Sequence, residues 1–223
     1  MSNEKDIFRN IICILGDLGI LEHLLLIGSW AEYLYEITYF EDFQANLRTR
    51  DVDMLIMNLG RPREKINIKR ALEEHGFIYE VDRLTGVTKF FQGTLELEFL
   101  AREIGAGQTE PYVSRSLGVK VEGLRHMDML IDSQMKLEIY GYLINVPTPH
   151  AYVLHKLLIW PTRGAKQEKD MRAIENLLDT FECFSSEKDN LIEMYRNKLT
   201  RKQIKTIDMV CKNNAIKLFT DQF

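Results

Sequence analysis

The chain has 223 residues and a mass of 26.1 kDa, with 45% hydrophobic and 28% charged residues. That apolar share is enough for a packed core, which excludes both a disordered tail and a disulfide-stapled miniprotein. Lys and Arg number 29 against 33 Asp and Glu, giving a charge of −4 and a pI near 5.8; a generic cationic nucleic-acid coat is excluded, while a local basic patch is not.

Ile7, Ile11, Ile12, Leu15 and Leu18 fall on one stripe and predict an amphipathic helix over 5–18. His23–Ile27 is a continuous apolar run ending at Gly28-Ser29, after which Ala31, Leu34 and Tyr35 resume helical spacing. This predicts a buried strand, a tight turn and a helix. Glu41–Arg50 is polar and loop-like, and Asp51–Met57 is a second buried strand. Arg63–His75 reads as a helix stopped by Gly76, with Arg61 and Arg63 flanking Pro62 at its start. Strands follow at Phe77–Val81, Val87–Phe91 and Leu95–Leu100, then an irregular stretch. Met135–Tyr140 and Tyr142–Val146 form a hairpin turning near Gly141. Beyond Pro147 and Pro149 the texture becomes helical, at Ala151–Trp160, Lys166–Phe181, Ser186–Lys198 and Arg201–Lys217. The expected architecture is α+β, with a mixed sheet flanked by helices over 1–147 and a helical bundle portion over 148–223 that closes a cleft.

Cys13, Cys183 and Cys211 are odd in number, far apart and free of any CxxC pair, so they read as reduced thiols rather than zinc ligands or a disulfide set. The opening MSNEKDIFRN has no apolar leader core, and no apolar run approaches the ~20 residues of a membrane span. A soluble, cytoplasmic protein with no membrane partner is expected. The five histidines lack metal-site spacing, and the basic run over 196–205 reads as a solvated helix face.

The chemistry is concentrated where Gly28-Ser29 is followed, after a helix-length interval, by Asp51-Val52-Asp53. Residues i and i+2 of a strand share a face, so the two carboxylates project together from an otherwise apolar strand. Such a pair is costly unless it meets a cleft and a cation, and hard oxygen ligands suit Mg²⁺. Taken alone, the spacing is equally met by a solvent-facing edge strand. A strand ending in Gly lets backbone approach a phosphate, the next helix offers free N–H groups, and Ser29 offers a hydroxyl; a plain strand–helix turn capped by Ser29 is the other reading. In LELEFL, Glu96 and Glu98 share a strand face, and either completes a carboxylate triad or lies on a wet outer face.

Together these segments resemble the DNA polymerase beta-like nucleotidyltransferase superfamily: a strand-terminal Gly-Ser, Asp51-x-Asp53 within TRDVDMLI, and an acidic residue on a later strand. PTPHAYVLHKLL, Arg163 and KQEKD are similar to segments of bacterial members, including AbiEii-like toxins, so the resemblance spans about residues 23–180. It implies a metal-dependent enzyme that moves a nucleoside monophosphate from an NTP to a hydroxyl on RNA (such as tRNA), a protein or a small molecule, releasing pyrophosphate. Asp51, Asp53 and Glu98 would hold Mg²⁺ or Mn²⁺, with Glu96 competing as third carboxylate. Gly28 and Ser29 would grip the triphosphate, Lys156 would contact it, and Asp170 would sit near the metal or orient the acceptor. A macromolecular acceptor and a cognate antitoxin are the partners that the toxin-like segments imply. The rival reading is a non-catalytic nucleotide-binding or interaction module of the same fold.

Overall fold

The computed structural model describes residues 2–45, 50–105, 107 and 110–218. It separates into two compact units, one of Met1–Leu34 with Leu47–Pro147 and one of Tyr35–Asn46 with Thr148–Phe223.

The first unit is built on a mixed sheet. Its strands are β1 (Leu24–Ile27), β2 (Asp51–Ile56), β3 (Ile78–Val81), β4 (Thr88–Gln92), β5 (Leu95–Arg102), β6 (Tyr112–Ser114), β7 (Val119–Leu124), β8 (Gln134–Ile139) and β9 (Tyr142–Pro147). Among the described residues the main path runs β3-β4-β5-β2-β1-β9-β8, with β7 beside β5 and β6 beside β7. β2 is central, antiparallel to β1 and parallel to β5. The continuous apolar run of β1 is buried at every position, as befits a strand covered on both faces. β1 and β9 meet in parallel at Leu25 and Asn145, and the buried Asn145 amide donates to Leu21 O (3.0 Å) and Leu24 O (2.9 Å). Its side chain thus satisfies carbonyls at the start of β1.

Helix α1 (Ser2–Asp17) turns Phe8, Ile11, Ile12 and Leu15 inward. Phe8 stacks on Trp30 of α2 (Ser29–Thr38), with ring centroids 4.2 Å apart. The predicted helix at Arg63–His75 is shorter, α3 being Ile68–Glu74. Asn67 starts it by accepting a hydrogen bond from Arg70 N (3.0 Å), and Ile66 N is already committed to Ser116 O (2.7 Å). Residues 61–67 are therefore loop. The stretch read as irregular contains β6, β7 and a short helix α4 (Met127–Ile131); β7 alternates buried and exposed positions from Val119 to Glu122, a period-two signal in VKVE.

The second unit holds α5 (Pro149–Ile159), α6 (Gln167–Phe181), α7 (Ser185–Asn197) and α8 (Arg201–Asn213). α5 is buried from Ala151 through Leu158, which marks it as the core helix of this unit. Phe40 packs among Tyr35, Phe43, Phe181 and Phe184. α8 opens with a reciprocal capping box between Thr200 and Gln203. It stops at Asn213, short of the expected Lys217, where Ala215 takes a left-handed φ of 55°. Of the predicted loop Glu41–Arg50, residues 46–49 lie outside the described residues; Gln44 O accepts from Asn176 Nδ2 at 2.7 Å. The three cysteines are free thiols. Among the described residues no helix is long and apolar enough to cross a membrane.

Candidate active site

β1 ends at Ile27, and the chain turns at Gly28 into α2, with Ala31 N donating to Gly28 O at 3.1 Å. Gly28 has φ +71°, a left-handed conformation that costs a residue bearing a Cβ about 1–2 kcal/mol. A Cβ placed there would also stand 2.6 Å from Asp53 Oδ2. Ser29, the first residue of α2, is buried.

The register of β2 assembles the acidic residues. Asp53 is opposite Ile27 of β1 and opposite Glu98 of β5, while Asp51 is opposite Glu96. Paired positions of adjacent strands share a sheet face. The half-buried Asp51, Asp53, Glu96 and Glu98 therefore occupy one face, and the fully buried Val52, Met54, Leu97 and Phe99 occupy the other. The amphipathic alternation of DVDM and LELEF, once paired in parallel, places four carboxylates side by side next to the Gly28-Ser29 turn.

β4 adds a cation that the sequence reading did not single out. Lys89, opposite Glu98, reaches both glutamates, with Nζ 2.5 Å from Glu96 Oε1 and in contact with Glu98 Oε1. Its signal was a lone charged residue between the buried Thr88 and Phe90 of a strand. Burial alone would lower the Lys89 pKa, but the two carboxylates outweigh it and hold the ammonium charged. Burial pushes the Glu98 carboxyl up to about 7; the neighbouring Glu96 adds to this and Lys89 pulls against it. Four carboxylates and one ammonium leave the face with an excess of negative charge.

Among the described residues no three His, Cys, Asp or Glu side chains are grouped to hold a metal ion by themselves. The donor chemistry nevertheless fits Mg²⁺, which characteristically takes one or two carboxylates and completes its shell with substrate phosphates and water. Asp51 and Asp53 are such a pair, while Glu98 is drawn to Lys89.

Lys156 and Asp170 belong to the second unit, where they are brought to each other. Lys156 Nζ lies 2.6 Å from Asp170 Oδ1, and Arg163 Nε lies 2.6 Å from Asp170 Oδ2. Burial works to raise the Asp170 pKa, yet the two cations outweigh it and leave the carboxyl below the usual range. The Lys156 ammonium is thus engaged by Asp170, and it also lies 4.9 Å from the Tyr152 ring centroid. In the same unit the buried Glu187 accepts from Tyr39 (2.8 Å) and meets His150 Nδ1 (2.8 Å), whose Nε2 is 3.0 Å from Thr148 Oγ1.

A family model described as nucleotidyltransferase matches residues 8–198. The crystal structure of an antigenic nucleotidyltransferase-like protein from Paracoccidioides brasiliensis is similar over 94% of this chain and 89% of its own, with 15% identity and a TM-score of 0.52, a likeness of fold. ANT(2″)-Ia, in complex with adenylyl-2″-tobramycin, aligns with 87% of this chain and 99% of its own at 12% identity and a TM-score of 0.45. No curated protein matches the sequence.

Proposed function

Since the chain belongs to the nucleotidyltransferase family, we propose that the acidic face of its sheet is the site at which a nucleoside monophosphate is transferred from an NTP to a hydroxyl acceptor. Asp51 and Asp53 are the residues that would hold a divalent cation, Mg²⁺ or Mn²⁺, with Glu98 as third carboxylate. When bound, the cation would neutralise phosphate charge and lower the pKa of the attacking hydroxyl. The observation that carries this reading is the approach of Asp53 Oδ2 to Gly28, at the turn where strand becomes helix. The missing side chain at Gly28 lets Asp53 come up against the turn, so that a phosphate bound at the start of α2 would lie beside the oxygens that would share its cation.

The step is an in-line displacement. The acceptor oxygen forms a bond to the α-phosphorus, the bond from that phosphorus to the α–β bridging oxygen breaks, and pyrophosphate leaves with the electron pair. The hydroxyl proton passes to a carboxylate of the acidic face or to water. No protein nucleophile is required, so positioning and charge neutralisation carry the rate. Gly28 and Ser29 would position the triphosphate at the start of α2, where free N–H groups and the helix dipole favour negative charge. Lys89 keeps the Glu96–Glu98 pair from excess repulsion. In the second unit, the Lys156–Asp170–Arg163 group ties α5 to the start of α6.

The test is incubation with each α-³²P-labelled NTP and Mg²⁺ or Mn²⁺, together with total RNA, cell protein and small hydroxyl compounds. An Asp51→Asn/Asp53→Asn variant runs alongside. Label that moves to one acceptor class with the wild-type chain and not with the variant supports the reading and names the acceptor. A lysate protein that blocks the transfer would be the antitoxin expected of a toxin-like member. NTP binding without transfer to any acceptor would favour the non-catalytic module instead.

A further inference from the structure

The loop over 61–67, where a helix was expected from Arg63 on, lines a cleft of about 460 Å³ together with the β6–β7 turn. Its walls are Arg63, Lys65 and Arg115, and its apolar surface comes from Leu59, Pro62 and the half-exposed Val113. The two loops are fastened together: Ile66 N donates to Ser116 O at 2.7 Å, and Ser116 Oγ donates to Arg61 O at 3.4 Å. Elsewhere on the surface many cations are matched to carboxylates, such as Arg70 to Glu74, Arg102 to Asp128 and Arg125 to Glu103. Among the described residues, Arg63, Lys65 and Arg115 have no ion-pair partner. In a chain of net charge −4, three unmatched cations around one cleft are a local reversal of sign.

We propose that this cleft is a docking site for the phosphodiester backbone of a single-stranded nucleic acid. Two of the three cations are Arg, whose planar fork matches phosphate oxygens in a bidentate way. The apolar surface of Leu59, Pro62 and the half-exposed Val113 offers contact to bases and riboses beside the phosphates. The cleft is also at the wrong place for the NTP. Its lining includes none of Gly28, Ser29, Asp51 and Asp53. Binding here is independent of catalysis; that the bound strand is also the acceptor rests on the transfer reading above.

The test is fluorescence anisotropy with a labelled single-stranded RNA of about 12 nucleotides and no NTP, between about 50 and 200 mM salt. The wild-type chain and the Asp51→Asn variant are expected to bind equally. Arg63→Ala/Lys65→Ala/Arg115→Ala is expected to weaken binding at least tenfold at low salt and to reduce the log–log salt slope by about 2, the value for three phosphate contacts on a single strand. All three positions are exposed, so an unchanged melting temperature should accompany the loss. An affinity unmoved by the triple change overturns the proposal. So does displacement of the RNA by polyglutamate at equal charge, which would make the occupant an acidic peptide, or by tripolyphosphate at equal charge, which would make it a nucleotide tail. Because the assay contains no NTP, absence of transfer leaves its outcome untouched.

Discussion

Asp53 Oδ2 occupies space that a side chain on Gly28 would need: a Cβ there would lie 2.6 Å from the oxygen, below any ordinary contact. The same glycine has a φ of +71°. Two separate demands, conformational and steric, therefore fall on one residue at the junction of β1 and α2. Gly28→Ala is expected to lower the unfolding free energy by about 2 kcal/mol, the left-handed cost plus displacement of Asp53. Transfer should fall more than tenfold, because the displaced carboxylate is one of the pair proposed to hold the cation. Urea denaturation and the labelled-NTP assay read the two effects separately; an Ala variant as active as wild type would remove Gly28 from the site.

Asp51 and Asp53 should separate activity from stability. Each Asp→Asn change is expected to cost about 4 kcal/mol of transition-state stabilisation, about a thousandfold in rate, as loss of a cation ligand at the reacting phosphate would. Stability should stay level or rise, because four carboxylates share one face with a single ammonium. Chelation of divalent cations should abolish transfer by the wild-type chain and leave its melting curve in place. A loss of activity matched by unfolding would mean that the pair is structural.

The acidic pair, the Gly-Ser turn and the positions of the main strands along the chain were legible because they are local: period-two alternation in DVDM and LELEF sets their faces before any packing is known. The parallel pairing of β2 with β5 was not legible, since no short-range pattern says which strand will lie beside which. That pairing is what aligns Asp53 with Glu98 and Asp51 with Glu96. Lys89 was missed for the same reason, as its meaning depends on the strand opposite. The helix predicted at Arg63 failed because Ile66 N finds Ser116 O, some fifty residues away in sequence, and Asn67 then supplies a later start.

Lys89 reaches both glutamates, and both ion pairs are largely shielded from water. Lys89→Met should destabilise the first unit by about 1–3 kcal/mol, the usual cost of leaving buried charged groups without their partner. Adding Glu96→Gln should recover part of the loss, since one of the two stranded carboxylates is then neutral. A double-mutant cycle in urea measures this coupling; strictly additive losses would show that Lys89 acts on stability by packing rather than charge.

The pH dependence of the second unit should be governed in acid by Asp170. Lys156 and Arg163 hold its carboxyl below the ordinary Asp value of about 3.9, against the effect of burial. A carboxyl whose folded pKa is depressed binds fewer protons when folded than when unfolded, so its contribution is complete above about pH 4. It is lost as pH falls from there through the folded pKa. Asp170→Asn should therefore cost about 3–5 kcal/mol near neutrality, because it strands the buried Lys156 ammonium and the Arg163 guanidinium. The gap to wild type should narrow steadily below about pH 4, where the Asp170 carboxyl takes up a proton first in the unfolded chain and, at lower pH, in the folded one. Urea midpoints measured from about pH 2.5 to 7 give both curves, and a gap that stayed constant across that range would mean that Asp170 is not held charged by the two cations.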